Sequence, residues 1–124
     1  MKKQRPVNLE INTMRFPPSA IASILHRVSG VVMLVTIGLL IWLFAISLRS
    51  PEGFAQATQV FANPIVKFVV WGVLTALGYH LLAGIRHIIM EFDHWVELES
   101  GNLSAKLTIA LGIVLSVLAG VWLW

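Results

Sequence analysis

Two stretches of the chain set hydroxyl, imidazole and guanidinium groups at helical spacing. Ser23, His26 and Arg27 stand at i, i+3 and i+4, which places them on one face of a helix. Such a patch can hydrogen-bond a carbonyl oxygen or hold an anion. The plainer reading is an Arg snorkelling to headgroups beside an interfacial His. Further along, His80 is followed by Gly84, Arg86 and His87. His80 and His87 are i and i+7, two turns apart on one face, and Gly84 between them leaves a gap where a side chain would be. A His beside a residue with no side chain suits axial ligation of a flat macrocycle pressed against the backbone. The alternatives are a His satisfied by a neighbouring helix's hydroxyl or carbonyl, or a proton relay. Arg86 and His87 either meet the macrocycle's acidic substituents or snorkel.

The elements that must carry these groups follow from charge and hydropathy. The chain has 124 residues, 57% apolar and 12% charged, with a mean hydropathy of +0.82. Soluble domains are about 25% charged. All nine Lys/Arg and all six Asp/Glu lie outside three uncharged stretches at 28–48, 68–85 and 107–124. Runs of about 18 or more apolar residues read as membrane spans, because roughly 20 residues cross the ~30 Å hydrocarbon core. The expected fold is therefore an all-α integral membrane protein with three transmembrane helices in one membrane-anchor domain, residues 1–124. An ordinary soluble enzyme, a nucleic-acid binder and a disordered chain are excluded. The basic N-terminus leads to an apolar run too long, and without a small-residue cleavage site, to read as a signal peptide. With no cysteine, the chain can supply neither disulfides nor thiolate ligands.

Punctuation residues set the expected boundaries. Pro17 and Pro18 precede Ser19, a candidate cap for a first helix at about 19–48. Ser50, Pro51 and Glu52 resemble a cap, a first-turn proline and a first-turn acid. Phe54, Ala57 and Phe61 then recur at helical spacing, so 51–61 reads as a short interfacial helix. Asn63 and Pro64 start a second span to about 90. Ser104, after Gly101 and Asn102, is the candidate cap of a third span, 104–124.

Three spans place the termini on opposite sides. Lys2, Lys3, Arg5, Arg15, Arg27, Arg86 and Lys106 fall on the N-terminal side, against Arg49 and Lys67 on the other. The positive-inside rule then expects a cytoplasmic N-terminus, a periplasmic C-terminus and a cytoplasmic 91–106 loop. Trp71, Trp122 and Trp124 stand near the opposite interface, as an aromatic belt would. His26 begins its span, whereas His80 lies about seven residues, or ~10 Å, deeper than His87. A shallow polar site over a deeper ligand is what electron delivery to a lipid-soluble carrier needs.

These residues carry a resemblance. Arg5-Pro6-Val7, then Ser23 to Ser29 as SxxHRxS, and His80 to His87 as HxxxGxRH resemble the cytochrome b membrane-anchor subunit of bacterial succinate dehydrogenase. The second motif usually ends in Asp; this chain has Glu91, with Asp93 two residues later. The resemblance implies a subunit of succinate:ubiquinone oxidoreductase (respiratory complex II) in the bacterial inner membrane. Its bundle would pack with a second small anchor subunit, sharing one haem b and taking the other haem ligand from that partner. An iron–sulfur subunit and a flavoprotein subunit would hold the iron–sulfur clusters and FAD, and ubiquinone would be the electron acceptor. Residue by residue, it implies His80 as the iron ligand, Ser23 and Arg27 at the quinone, and His26 beside both quinone and haem propionates. Gly84, Arg27 and His87 would lie at the haem, and Arg86 and His87 would be either propionate or packing contacts.

The chain has no flavin or iron–sulfur motif, so it would be one part of an enzyme. The alternatives are a fumarate reductase anchor using menaquinone, or a non-redox accessory subunit in which His80 only packs.

Overall fold

In a computed structural model describing residues 4–124, the chain forms a short 3-10 turn, Ile11–Thr13, and four α-helices. They are α1 (Pro18–Ser47), α2 (Pro51–Ala62), α3 (Pro64–Glu91) and α4 (Leu98–Leu123). Lys2 and Lys3 of the charge count lie outside the described residues. The three long helices are the expected spans, of 30, 28 and 26 residues. At 1.5 Å per residue the shortest is ~39 Å long, more than enough for the ~30 Å hydrocarbon core.

Local chemistry explains most of the ends. Pro18 opens α1 in the position where a missing N–H costs nothing. The residue before it, Pro17, holds the cap position without a side-chain hydrogen bond, so Ser19 lies inside the helix rather than capping it. Ser50 caps α2 by accepting from the Gly53 N–H at 3.0 Å. Asn63 caps α3 by accepting from the Ile65 N–H at 2.9 Å.

The start of α4 differs from expectation. It begins at Leu98, six residues before Ser104, with Glu97 at the cap position and no side-chain cap bond. Gly101 does not stop the helix; it lets the connecting loop approach. A Cβ there would lie 3.1 Å from the Trp95 carbonyl oxygen. The connector is therefore 92–97 rather than 91–106. It turns through Asp93 and Trp95, whose φ angles are +62° and +58°. Lys106 and Ser104 both belong to the helix.

The helices pack through small residues. Ala22, Ser29, Ala83, Gly101, Ser104, Ala105, Thr108 and Gly112 are buried, and none of the described large side chains is fully buried. Small side chains let membrane helices approach closely where lipid removes the hydrophobic drive between them. Tyr79 makes one such approach, its ring lying where a Cβ on Gly112 would be 3.0 Å from Cδ2. Its hydroxyl donates to the Ala22 carbonyl at 2.7 Å, so one buried residue ties α3 to both neighbours.

Helix α2 folds back on the end of α1. Gly53 and Ala57 are its buried residues, and Gly53 sits against the Ile46 carbonyl too closely for any side chain. Phe54 and Phe61 stay exposed, at 63% and 47%. The outer faces of the spans are likewise apolar and open, with Leu34, Ile41, Trp42, Ile113 and Val121 all exposed. Water would not tolerate so continuous an apolar surface; lipid or another subunit must cover it.

Candidate functional site

The site forms where α1 and α3 cross. Helix α1 presents His26, Ser29 and Gly30 towards α3, while Ser23 and Arg27 stand on an exposed shoulder of the same helix. Helix α3 presents His80, Gly84 and His87, one after another along its length.

The two motifs meet in space. The His26 and His80 rings are 4.5 Å apart between centroids, tilted by 42°, and His26 lies 6.3 Å from His87 on its other side. The gap left by Gly84 faces the His26 ring, whose Nε2 would be 3.7 Å from a Cβ placed there. Three imidazoles thus form a row in which His26 is interposed between two turns of α3.

His80 is held on one side only. Its Nδ1 lies 2.9 Å from the Ser29 hydroxyl oxygen and 3.1 Å from the His26 carbonyl oxygen. Gly30 makes room for the ring, since a Cβ there would stand 3.3 Å from His80 Cε1. Nε2 has no hydrogen-bond partner among the described residues and is not enclosed by the chain. A His with one nitrogen anchored and the other open has the arrangement of a metal ligand. The donor set therefore fits axial ligation of an iron porphyrin. His26 cannot be the opposite ligand in this arrangement, because its ring already touches that of His80 and leaves no room for a macrocycle between them.

Ser23 and Arg27 share the outward stripe of α1, one turn apart. Neither makes a side-chain hydrogen bond or ion pair among the described residues, and both are exposed on this chain. A hydroxyl and a guanidinium left open at one end of an apolar bundle can bind a ligand's carbonyl oxygens.

The chain belongs to the succinate dehydrogenase/fumarate reductase transmembrane subunit family. That family's model matches residues 1–119. The succinate dehydrogenase cytochrome b556 subunit of Coxiella burnetii is 39% identical over the full length of both chains. The subunit of the same name in Paracoccus denitrificans is 34% identical, covering 92% of this chain and 88% of its own. The cytochrome b560 subunit of Reclinomonas americana is 22% identical over 96% of this chain.

Arg86 makes packing contacts between helices, one of the two roles left open for it, and its side chain turns to α4. Its side chain is 8% exposed, donating from Nε to the Ser104 hydroxyl at 3.0 Å and from Nη2 to the Gly101 carbonyl at 3.1 Å. It fastens α3 to the first turns of α4. His87 remains exposed and pairs with Glu91, Nε2 to Oε1, at 3.2 Å. Trp71 donates its indole N–H to the Ser116 carbonyl at 2.8 Å, and the Lys67 ammonium lies 5.3 Å from the Trp124 ring.

Sequence reasoning assigned no role to Ser29 or Tyr79. Ser29 closes the first motif, three residues after His26 and hence on its face of the helix. That spacing was the available signal.

Proposed function

We propose that this chain is the haem b membrane anchor of a succinate:ubiquinone oxidoreductase, and that it forms part of the ubiquinone-reduction site. The observation that carries the reading is the His80 ring, anchored through Nδ1 to α1 with Nε2 open, while Ser23 and Arg27 of that same helix are exposed and without a side-chain partner among the described residues. The named relatives are cytochrome b subunits of succinate dehydrogenase, which supports the same assignment.

When bound, haem b supplies a one-electron redox centre within the bundle. The chain's own part is to hold, orient and shield. His80 would ligate the iron through Nε2, with Gly30 leaving space for its ring. The opposite ligand would come from a second anchor subunit. His26, Gly84 and His87 would border the macrocycle on the side nearer the cytoplasm.

At the quinone, Ser23 would donate its hydroxyl hydrogen to one carbonyl oxygen. Arg27 would stabilise negative charge developing on the reduced ring, as a donor aimed at charge that grows during reaction. Electrons would arrive from the iron–sulfur subunit, and succinate oxidation would occur at the flavoprotein. The N-terminus would be cytoplasmic and the C-terminus periplasmic, which sets the open ends of α1 and α3 on the side of those soluble subunits.

The test is a reduced-minus-oxidised visible spectrum of the purified membrane complex, paired with two electron acceptors. The expected result is b-type bands, and succinate-driven reduction of both ubiquinone and an artificial dye. Absence of b-type bands from an intact complex would defeat the haem assignment.

A further inference from the structure

We infer that Ser29 is a positioning residue for His80: together with the His26 carbonyl it holds the imidazole in one tautomer, and it sets the electron-donating strength of Nε2. The inference rests on His80 being the haem ligand, as proposed above, and adds a residue to which neither the sequence motifs nor the family likeness assigns a role.

The geometry is a closed triangle of three polar atoms. Ser29 Oγ lies 2.8 Å from the His26 carbonyl oxygen and 2.9 Å from His80 Nδ1. His80 Nδ1 lies 3.1 Å from that same carbonyl. A carbonyl oxygen only accepts, and a serine hydroxyl has one hydrogen to give. Ser29 donates that hydrogen to the His26 carbonyl. Its oxygen must then accept from Nδ1, and so must the carbonyl. Both contacts are satisfied only when Nδ1 carries the hydrogen. The opposite tautomer would set an Nδ1 lone pair against the carbonyl oxygen, an unmade bond in a water-poor setting.

Two consequences follow. Nε2 is left with its lone pair free, the form in which imidazole binds a metal. An acceptor on the N–H of a ligating His also raises the ring's basicity and holds its orientation. Stronger donation favours ferric over ferrous iron, so the Ser29 oxygen lowers the haem's midpoint potential. Ser29 is itself buried, 6% exposed, which keeps water from replacing it. The neighbouring Gly30 is required for the same approach, since any side chain there would push against His80 Cε1.

The test uses the whole complex, with Ser29→Ala, Ser29→Thr and Ser29→Cys in this chain. Haem content, potentiometric midpoint and the rate of haem transfer to excess apomyoglobin are measured. Ser29→Ala leaves Nδ1 with the carbonyl alone. The expected result is retained haem, a midpoint shifted upward and haem transfer about 10-fold faster, the lower end of losses seen when a ligand's supporting partner is removed. Ser29→Thr should restore both values, because its hydroxyl can make the same back-bond to the helix carbonyl. If the alanine variant does not assemble, Ser29→Cys takes its place; its weaker sulfur acceptor should move both values the same way by less. Parental midpoint and transfer rate in the alanine variant, or in the cysteine variant where that stands in, would overturn the inference. A failure of the underlying reading looks different: His80→Leu would then leave haem content and spectrum untouched.

Discussion

His80 and Ser23 are separable by what each loss should leave intact. His80→Leu removes the ring that α1 holds through Nδ1 with Nε2 left open, so the b-type bands should vanish or become high-spin. His87→Leu removes a side chain paired at the surface with Glu91, and its spectrum should change far less. Equal effects of the two substitutions would contradict the assignment of His80. Ser23→Ala and Arg27→Leu should each lower ubiquinone reduction by about 100-fold, the scale of losing one preorganised donor, with haem retained. Succinate-driven dye reduction should persist in both, since the soluble subunits carry it. Parental ubiquinone rates in both variants would move the quinone elsewhere.

Between elements, the informative residue is Arg86. A cation buried in a membrane bundle is costly unless its donors are used, and Arg86 uses them on the Ser104 hydroxyl and the Gly101 carbonyl. Replacing it with Leu would break both contacts and remove the donor that ties the Gly101 carbonyl and the Ser104 hydroxyl to α3. Losing such a buried partner costs about 1–3 kcal/mol. The thermal midpoint of the detergent-extracted complex should fall by a few degrees while the haem spectrum stays parental, because the guanidinium faces α4 and not the histidines. Loss of haem at unchanged thermal stability would return Arg86 to the macrocycle. Ser104 illustrates the same point from the other helix: it accepts from Arg86 inside α4 instead of capping it.

At the scale of the whole molecule, three helices are too few to enclose a cofactor. Large apolar side chains cover the outer faces of all three spans, and the His80 nitrogen opens away from the chain's own partners. Expressed without its partner subunits in haem-replete membranes, the chain should show no stoichiometric low-spin b-type haem. The contact between His26 and His80, 4.5 Å between ring centroids, leaves no space for iron between them. A native-like spectrum from the lone chain would require that pair to separate and His26 to ligate. Orientation is testable because the chain has no cysteine of its own. On the proposed orientation, a membrane-impermeant maleimide should label Glu52→Cys in intact cells and should reach Asn8→Cys only after the inner membrane is opened. The reverse pattern would invert the topology.

Charge-free runs were enough to determine the three spans, because expelling Lys, Arg, Asp and Glu from hydrocarbon is a property of each residue and its neighbours in the chain. Helix α2 was legible for a similar reason: Ser50, Pro51 and Glu52 act within one turn. The histidine patches were legible as helix faces, since i, i+3, i+4 and i+7 spacing fixes direction around an axis. Spacing could not say which faces meet. The start of α4 was missed because Gly101 and Asn102 look like a stop in sequence, whereas the loop carbonyl of Trp95 approaches Gly101 only in the folded chain. Arg86 was ambiguous because a guanidinium near a helix end reaches lipid or a neighbouring helix equally well, and only packing chooses. Ser29 had no visible role until α3 crossed α1 at Gly30. Its hydroxyl and the His26 carbonyl then converged on His80 Nδ1 from 51 and 54 residues away. Contacts of that range depend on where two helices cross, and the crossing is decided by the small buried residues of both helices acting together.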